Sequence, residues 1–375
     1  MKIVLAGGGT GGHFYPLMAI AEELNRLAVE KKVLQLELSY FASSPYDEQA
    51  LFENNVTYHH VSTGKRRHYF SFANYIDILK MVWGSLVACA KLFWIYPDIV
   101  VGKGGGDSFP VLFGARILGI PVIIHESDSI PGRVNRWASK FAKRIAVSYP
   151  DALEFFPKEK TAWTGQPIRR NILKPTTIGA REFLHLQDEA PVILVIGGSQ
   201  GSMVINDTVV DMLLDALPKY QIIHQVGKDN LMSTVGRAEI ILRDAPLAHR
   251  YQGFGYLNAT AMAMSAGVAS LVISRAGSTI FEIANWGIPS IIIPIPADIS
   301  HDQEHNALAY AKSGACMLLK QENLTPHILL SEIDRLIENK NLYKDMAEKT
   351  KSWGRPDAAH VIALEIIKLG LEHER

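Results

Sequence analysis

The sequence predicts an α/β protein built from two parallel-sheet domains, and two observations carry that prediction. Glycine-rich turns of one design occur twice, Gly7-Gly8-Gly9-Thr10-Gly11-Gly12 near the start and Gly197-Gly198-Ser199-Gln200-Gly201 past the middle. Each follows an apolar run, Ile3-Val4-Leu5-Ala6 or Val192-Ile193-Leu194-Val195-Ile196, and opens into a helical pattern. Strand, glycine turn and helix start together aim free backbone N–H groups and the positive helix end at one point, which suits an anion such as phosphate. Two such points predict two Rossmann-like domains, with two phosphate-bearing ligands meeting between them.

The elements follow in order. In the first half, apolar runs predict strands at 2–6, 34–41, 99–101, 122–125 and 144–147, with helical periods at 15–28, 47–53, 73–94, 108–118 and 133–142. The second half repeats the rhythm, with strands at 192–196, 221–225, 269–273 and 290–293 and helices at 204–217, 259–266, 279–286, 303–313, 325–338 and 342–350. This alternation is the signature of open parallel sheets. Glycine and proline interrupt both periods at Thr164-Gly165-Gln166-Pro167-Ile168-Arg169, which marks the join. A last helix, 357–372, follows Gly354-Arg355-Pro356 and is expected to cross back to the first domain. The expected domains are therefore 1–164, 170–352 and a returning segment 353–375.

Composition narrows the function. The chain has 375 residues, 48% hydrophobic and 20% charged, ordinary for a soluble globular protein of two cores. Lys and Arg number 38 against 38 Asp and Glu, so the basic excess of a nucleic-acid-binding domain is missing and no nucleic-acid partner is expected. Cys89 and Cys316 lie far apart without CxxC spacing, which fits buried fillers in a reducing cytoplasm rather than a disulfide framework or zinc site. A core strand at residue 2 leaves no cleavable signal in this sequence, so secretion is not expected.

The 76–96 stretch is about as long as a bilayer span, but Asp77, Lys80 and Lys91 interrupt it. Each would cost roughly 2.5–3.5 kcal/mol near a bilayer centre. An amphipathic helix packed mainly on its own sheet is expected instead. Lys65-Arg66-Arg67, followed by Tyr69, Phe70 and Phe72, is the better candidate for touching an anionic membrane surface.

Gly7-x-Gly9-x-x-Gly12 formally matches a dinucleotide fingerprint, yet the second strand ends Phe41-Ala42-Ser43-Ser44 with no carboxylate for ribose hydroxyls. A P-loop is excluded because no Gly-Lys-Ser/Thr follows a glycine turn. Further chemistry-bearing stretches follow successive strands: the glycine turn Val101-Gly102-Lys103-Gly104-Gly105-Gly106-Asp107-Ser108, His125-Glu126-Ser127-Asp128, Arg275-Ala276-Gly277-Ser278-Thr279-Ile280-Phe281-Glu282 and Asp302-Gln303-Glu304-His305-Asn306. Taken singly, each is readable as turn chemistry or helix capping. Their recurrence in both halves argues for ligand seats.

Taken in order, these motifs, with Gly165-x-Pro167-x-Arg169, resemble the MurG family of N-acetylglucosaminyltransferases over nearly the whole chain. The resemblance implies a GT-B fold, two Rossmann-like domains with parallel sheets facing across a cleft. It implies transfer of N-acetylglucosamine from UDP-N-acetylglucosamine on the C-terminal domain to an undecaprenyl-diphosphate-linked muramoyl peptide (lipid I) on the N-terminal one. Lipid II for peptidoglycan synthesis would be the product, made at the cytoplasmic face of the cell membrane by a peripheral protein. Carried over by position, Thr10, Gly11 and Gly12 face both substrates, and Arg169 and Ser199 contact the donor diphosphate. Gly277, Ser278, Thr279, Ile280 and Phe281 form the nucleotide seat, with the Glu282 carboxylate accepting from ribose hydroxyls. Gly255 reads uracil through its backbone, and Gln303 and Asn306 lie near the sugar and its phosphates.

The chain departs from the family pattern on the acceptor side. His-Glu-Gln-Asn becomes His125-Glu126-Ser127-Asp128, and Asp128 repels a diphosphate unless Arg133 or Arg136 compensates. The acceptor loop reads Gly106-Asp107-Ser108-Phe109, again adding a negative charge. No Asp-x-Asp motif occurs, so neither a metal nor another cofactor is expected; glycine turns, Arg169 and Arg275 are expected to neutralise the leaving group. An inverting, in-line displacement follows, in which a base takes the acceptor hydroxyl proton. His13, at a helix start, is the first choice for that base and Glu126 the second. Two other readings stay open: another UDP-sugar enzyme of this architecture, such as a UDP-N-acetylglucosamine epimerase, and a non-catalytic UDP-sugar-binding scaffold.

Overall fold

The structure, a computed structural model, describes residues 1–33, 35–64, 73–187, 189–198 and 200–373. Ser199 and the whole basic-aromatic stretch from Lys65 to Phe72 lie outside the described residues. The chain divides into two compact units, Met1–Arg169 with Pro356–Arg375, and Arg170–Arg355.

The first unit holds a seven-stranded parallel sheet of β1 (Lys2–Ala6), β2 (Glu37–Ala42), β3 (Val56–His60), β4 (Ile99–Gly102), β5 (Val122–Glu126), β6 (Arg144–Val147) and β7 (Thr161–Trp163), in the order β3-β2-β1-β4-β5-β6-β7. The second holds β8 (Val192–Ile196), β9 (Gln221–Gln225), β10 (Tyr251–Phe254), β11 (Ala269–Ser274), β12 (Ser290–Ile292) and β13 (Met317–Leu318), also parallel, in the order β10-β9-β8-β11-β12-β13. In both, the chain winds outward on one side of the first strand and then returns to wind outward on the other. Connections diverge between β1 and β4 and between β8 and β11, which opens the ligand crevice of such sheets at the strands' carboxyl ends.

Central strands are apolar on both faces because helices cover both, and Ile193, Leu194 and Val195 are accordingly buried. The strands that the apolar-run criterion misses, β3, β7, β10 and β13, are the four sheet edges. Edge strands keep one side half-solvated, so Thr57-Tyr58-His59-His60 and Gln252-Gly253 carry polar or small residues and no continuous run. The helix Leu231–Ile241 is unpredicted as well, and the helical period expected over 204–217 is broken into Met203–Asp211 and Leu213–Ala216.

The first helix runs over Gly11–Glu30, four residues earlier than the predicted start. Thr10 is its extended N-cap, and Pro16 lies inside it rather than at its beginning. This places Gly11, Gly12 and His13 in the helix's first turn, directly out of the β1 glycine turn.

The helix Ala73–Ile95 has two apolar stripes, which corrects the expectation that packing on its sheet occupies most of it. Ser85, Ala88 and Leu92 are buried, the last two in a core with Val61 and Leu112. On the other side Leu79, Val82, Trp83, Leu86 and Phe93, at helical spacing, are exposed, and the neighbouring Trp94 is 83% exposed. Among the described residues, no helix is long and apolar enough to cross a membrane.

The last helix, Ala358–His373, belongs to the first unit. Ile362, Ala363, Ile366 and Ile367 enter the core of Ile3, Leu5, Leu17 and Leu24. Its polar edge pairs His360 Nδ1 with Glu23 Oε1 at 2.7 Å and Glu365 Oε1 with Arg144 Nε at 2.6 Å. Ile366→Ala should therefore destabilise the first unit by about 2–5 kcal/mol, the usual loss for emptying a fully buried aliphatic site, read by denaturant unfolding. A loss below about 0.5 kcal/mol, typical of surface positions, would mean that the helix is only loosely docked.

Candidate functional site

In the first unit the candidate side chains gather where β1, β4 and β5 end. Thr10 Oγ1 lies 3.2 Å from His13 Nδ1, so the N-cap hydroxyl meets the imidazole instead of capping a backbone N–H. Gly105 opens the helix Gly105–Ile117 with φ +74°, and a β-carbon there would stand 3.4 Å from His13 Cε1. The imidazole is held below its ordinary pKa, chiefly by burial and next by the Lys103 ammonium; Asp128, Asp107 and a hydrogen bond with the Gly8 backbone pull the other way. Its neutral form is thereby favoured at neutral pH.

Glu126 is buried, and donors already surround both its oxygens. Oε1 accepts from the Asp128 N–H at 3.0 Å, and Oε2 accepts from the Gly132 N–H and Asn135 Nδ2, both at 3.0 Å. Burial first and Asp128 next push its carboxyl pKa up, while the hydrogen bonds from the Asp128 N–H and Asn135, and Lys103, pull it down. The carboxylate thus fastens the loop that follows β5. His125 is also fully buried, with Nε2 3.2 Å from both the Gly165 carbonyl and Ser148 Oγ.

Two departures noted in the sequence acquire partners here. The Asp107 carboxylate accepts from Ser43 Oγ at 2.8 Å and Thr63 Oγ1 at 2.6 Å, which ties the β2 and β3 ends to the acceptor loop. Asp128 is one of the carboxylates that support the charge of the buried Lys103, while Arg136 donates to the Pro131 carbonyl and stacks over Phe155 at 5.1 Å. Arg169, at the end of this unit, has its guanidinium carbon 4.1 Å from the centre of the Tyr15 ring.

In the second unit, three loops at the β8, β9 and β10 ends are cross-linked. Gln225 Nε2 donates to the Gly198 carbonyl at 3.0 Å and its Oε1 accepts from the Leu257 N–H at 2.9 Å, which fixes the glycine turn relative to Gly255. Asn230 Nδ2 donates to the Gln200 carbonyl at 3.1 Å. Gly201 has φ +75°, and a β-carbon on it would stand 1.9 Å from the Val226 carbonyl oxygen. After β11, Gly277 and Ser278 lead into the helix Thr279–Trp286, with Ile280 and Phe281 buried beneath it and Glu282 in its first turn.

Arg275, expected at the leaving diphosphate, is only 8% exposed. Its Nη1 donates to the Ile293 and Pro294 carbonyls and its Nη2 to Ser202 Oγ and Gln321 Oε1. Four of its five donors therefore fix the turn itself. Gln303 Oε1 accepts weakly from the Ile295 N–H at 3.3 Å, and Asn306 is buried.

Comparison with known proteins places this geometry. Residues 3–147 match the glycosyltransferase family 28 N-terminal domain and residues 192–362 its C-terminal domain. The chain belongs to glycosyltransferase family 28. Within that family it belongs with the enzymes named UDP-N-acetylglucosamine–N-acetylmuramyl-(pentapeptide) pyrophosphoryl-undecaprenol N-acetylglucosamine transferase. It is 36% identical to the one from Clostridium kluyveri, over 96% of this chain and 97% of that one. It is also 36% identical to the one from Clostridium novyi, over 91% and 92%. The crystal structure of Acinetobacter baumannii MurG is similar with a TM-score of 0.74 and 26% identity, covering 98% of this chain and 99% of that one. A putative UDP-N-acetylglucosamine 2-epimerase from Listeria monocytogenes has a TM-score of 0.70 at 16% identity over 99% and 96%, a likeness of fold alone. The two parallel-sheet units are those of a GT-B fold.

Sequence reasoning passed over Lys103, Gln166 and Gln225. Lys103 had a visible signal, a lone cation inside a glycine run; the two glutamines had none, because their value lies in which loops the fold brings beside them. The family's donor-side turns also give a direct test of backbone constraint. Gly201→Ala should lower stability by about 1–3 kcal/mol, the order of one strained backbone position. Gly277→Ala, whose β-carbon would meet nothing within 4 Å, should stay within about 0.5 kcal/mol of the parent in the same thermal unfolding measurement. Equal losses would show that Val226 moves aside at little cost.

Proposed function

We propose that this chain transfers N-acetylglucosamine from UDP-N-acetylglucosamine to the muramoyl peptide of lipid I, giving lipid II for peptidoglycan synthesis. The observation that carries the mechanism is His13: a neutral-leaning imidazole in the first turn of a helix at the β1/β4 divergence, while the alternative base, Glu126, has both oxygens engaged by backbone and amide donors. The acceptor seat is the first unit's glycine turn, with Thr10, Gly11 and Gly12 facing the reacting groups and Asp128 at its edge. The donor seat is the second unit, where the turn around Ser199 and the 277–282 turn receive the diphosphate and nucleoside, Glu282 the ribose, Gly255 the uracil, and Gln303 and Asn306 the sugar. Arg169, stacked on Tyr15, supplies a positioned cation for the diphosphate.

The step is one displacement. The acceptor hydroxyl oxygen bonds to the anomeric carbon, its proton passes to His13, and the bond to the UDP oxygen breaks with its electron pair leaving on UDP. Glycine-turn N–H groups and helix N-termini stabilise that developing charge. No metal or cofactor enters this reading.

The decisive assay is UDP release from a panel of UDP-sugars with and without a short-chain lipid I analogue. Release is expected only with UDP-N-acetylglucosamine plus the acceptor; acceptor-independent chemistry would favour an epimerase, and binding without turnover a scaffold. His13→Ala should lower kcat about 10²–10⁴-fold with UDP affinity nearly intact. Because burial and Lys103 lower the His13 pKa, the basic form persists below histidine's ordinary 6.5, and kcat/KM should fall only below that pH. Glu282→Ala should weaken UDP binding by about 1.5–3 kcal/mol in calorimetry; unchanged affinity in the folded variant would remove the ribose assignment.

Docking at the cytoplasmic face of the membrane is part of the same proposal, since a polyprenyl acceptor stays in the bilayer. The exposed stripe of Leu79, Val82, Trp83, Leu86, Phe93 and Trp94 supports it, because large apolar side chains each gain about 1.5–3 kcal/mol when fully buried. The 65–67 basic residues would add attraction to anionic lipid. Replacing Trp83 and Leu86 with glutamate should release most of the protein from anionic vesicles in co-sedimentation. If that variant sediments like the parent, the docking surface lies elsewhere.

A further inference from the structure

The two arginines expected at the diphosphate are held in opposite ways. Arg275 spends four donors on carbonyls, a hydroxyl and an amide of the protein. Arg169 is half-buried over the Tyr15 ring, 4.1 Å from its centre, and among the described residues no acceptor takes a hydrogen bond from its guanidinium. A cation on an aromatic face is held by the ring's quadrupole, which leaves its charge uncancelled and its in-plane N–H groups open to a ligand. A carboxylate partner would take both.

The ring beneath Arg169 is fixed on several sides. Tyr15 Oη donates to Asp47 Oδ2 at 3.2 Å, and the other oxygen of that carboxylate caps the helix Glu48–Glu53 by accepting from the Ala50 N–H at 3.0 Å. Phe14 and Tyr46 form T-shaped pairs with the Tyr15 ring, their centroids 5.4 and 5.8 Å away. Tyr46 does so from φ +60°, a left-handed conformation that is costly for a bulky side chain. The chain leading to Arg169 is fixed as well. Lys103 Nζ donates to Ser127 Oγ, the Ser127 and Ser148 hydroxyls donate to Gln166 Oε1 at 3.1 and 2.7 Å, and the Gly165 carbonyl lies 3.2 Å from His125 Nε2.

We propose that Tyr15 is a positioning residue for the donor: its ring face, braced by Tyr46 and Asp47, aims the Arg169 guanidinium so that the N–H groups are presented to the diphosphate. This rests on the reading of Arg169 as a diphosphate cation given above. A long arginine side chain otherwise samples many rotamers, and holding it beforehand removes that ordering cost from binding.

The test measures UDP and uridine binding to the full chain by calorimetry. Tyr15→Leu should weaken UDP about 2–30-fold, the range of a cation–π contact, and leave uridine, which carries no phosphate, as in the parent. Tyr15→Phe, which keeps the ring, should recover most of that loss. In an Arg169→Met background Tyr15→Leu should weaken UDP no further. Phenylalanines with increasing ring fluorination at position 15 keep the shape but drain charge from the face, so UDP affinity should fall stepwise along that series even if Tyr15→Leu does not fold. A flat fluorinated series beside an Arg169→Met variant that binds UDP weakly would overturn this proposal alone, and so would equal loss of uridine in Tyr15→Leu. Parent-like UDP affinity in Arg169→Met would remove Arg169 from the diphosphate and this proposal with it.

Discussion

The divergence of connections beside β1 and β8 is the constraint on which the rest of each unit depends. Parallel strands must be joined by crossovers, and right-handed crossovers that start in opposite directions from neighbouring strands leave a gap at the strands' carboxyl ends. The gap is floored by the most apolar strands in each sheet, Val4 and Leu5 beside Val100 and Val101, and Val195 beside Ile273. Glycine turns fill it because only they can bend from strand to helix this sharply while presenting N–H groups. Phosphate chemistry is thus a consequence of topology before any side chain is chosen.

Side chains then set how much charge each gap holds. In the first unit the balance is internal: two buried or half-buried carboxylates, Glu126 and Asp128, two imidazoles, and one buried ammonium, all on the ends of adjacent strands. Asp107 is drawn aside by Ser43 and Thr63. In the second unit Arg275 is a buried charge whose donors are turned inward to carbonyls, a hydroxyl and an amide.

Much of this was legible in the sequence, for reasons that also explain what was not. Central strands and glycine turns declare themselves because burial on both faces demands continuous apolar runs and sharp turns demand glycine. Edge strands such as Val56–His60 do not, since half-solvated backbone tolerates histidine and threonine. The first helix begins four residues before its apolar period, because its first turn, Gly11-Gly12-His13, carries no apolar side chains and Thr10 in extended conformation is its N-cap. His13, Glu126 and the donor-side turns stand out as residue types in a pattern, but the three donors on Glu126, from 128, 132 and 135, make a loop closure with no spacing signature. The position of Arg275 after β11 says nothing about where its guanidinium points, and four of its donors turn to Ile293, Pro294, Ser202 and Gln321. The exposed stripe of the Ala73–Ile95 helix was not legible because an amphipathic period does not say which of two apolar stripes meets the sheet.

The central claim is a single displacement in which His13 takes the acceptor proton and Glu126 remains a loop fastener. The stereochemistry of the product tests it most directly. Proton NMR of the disaccharide formed from the α-linked donor should show an inverted, β-linked N-acetylglucosamine. A retained, α-linked product would exclude a single in-line displacement and would contradict the account.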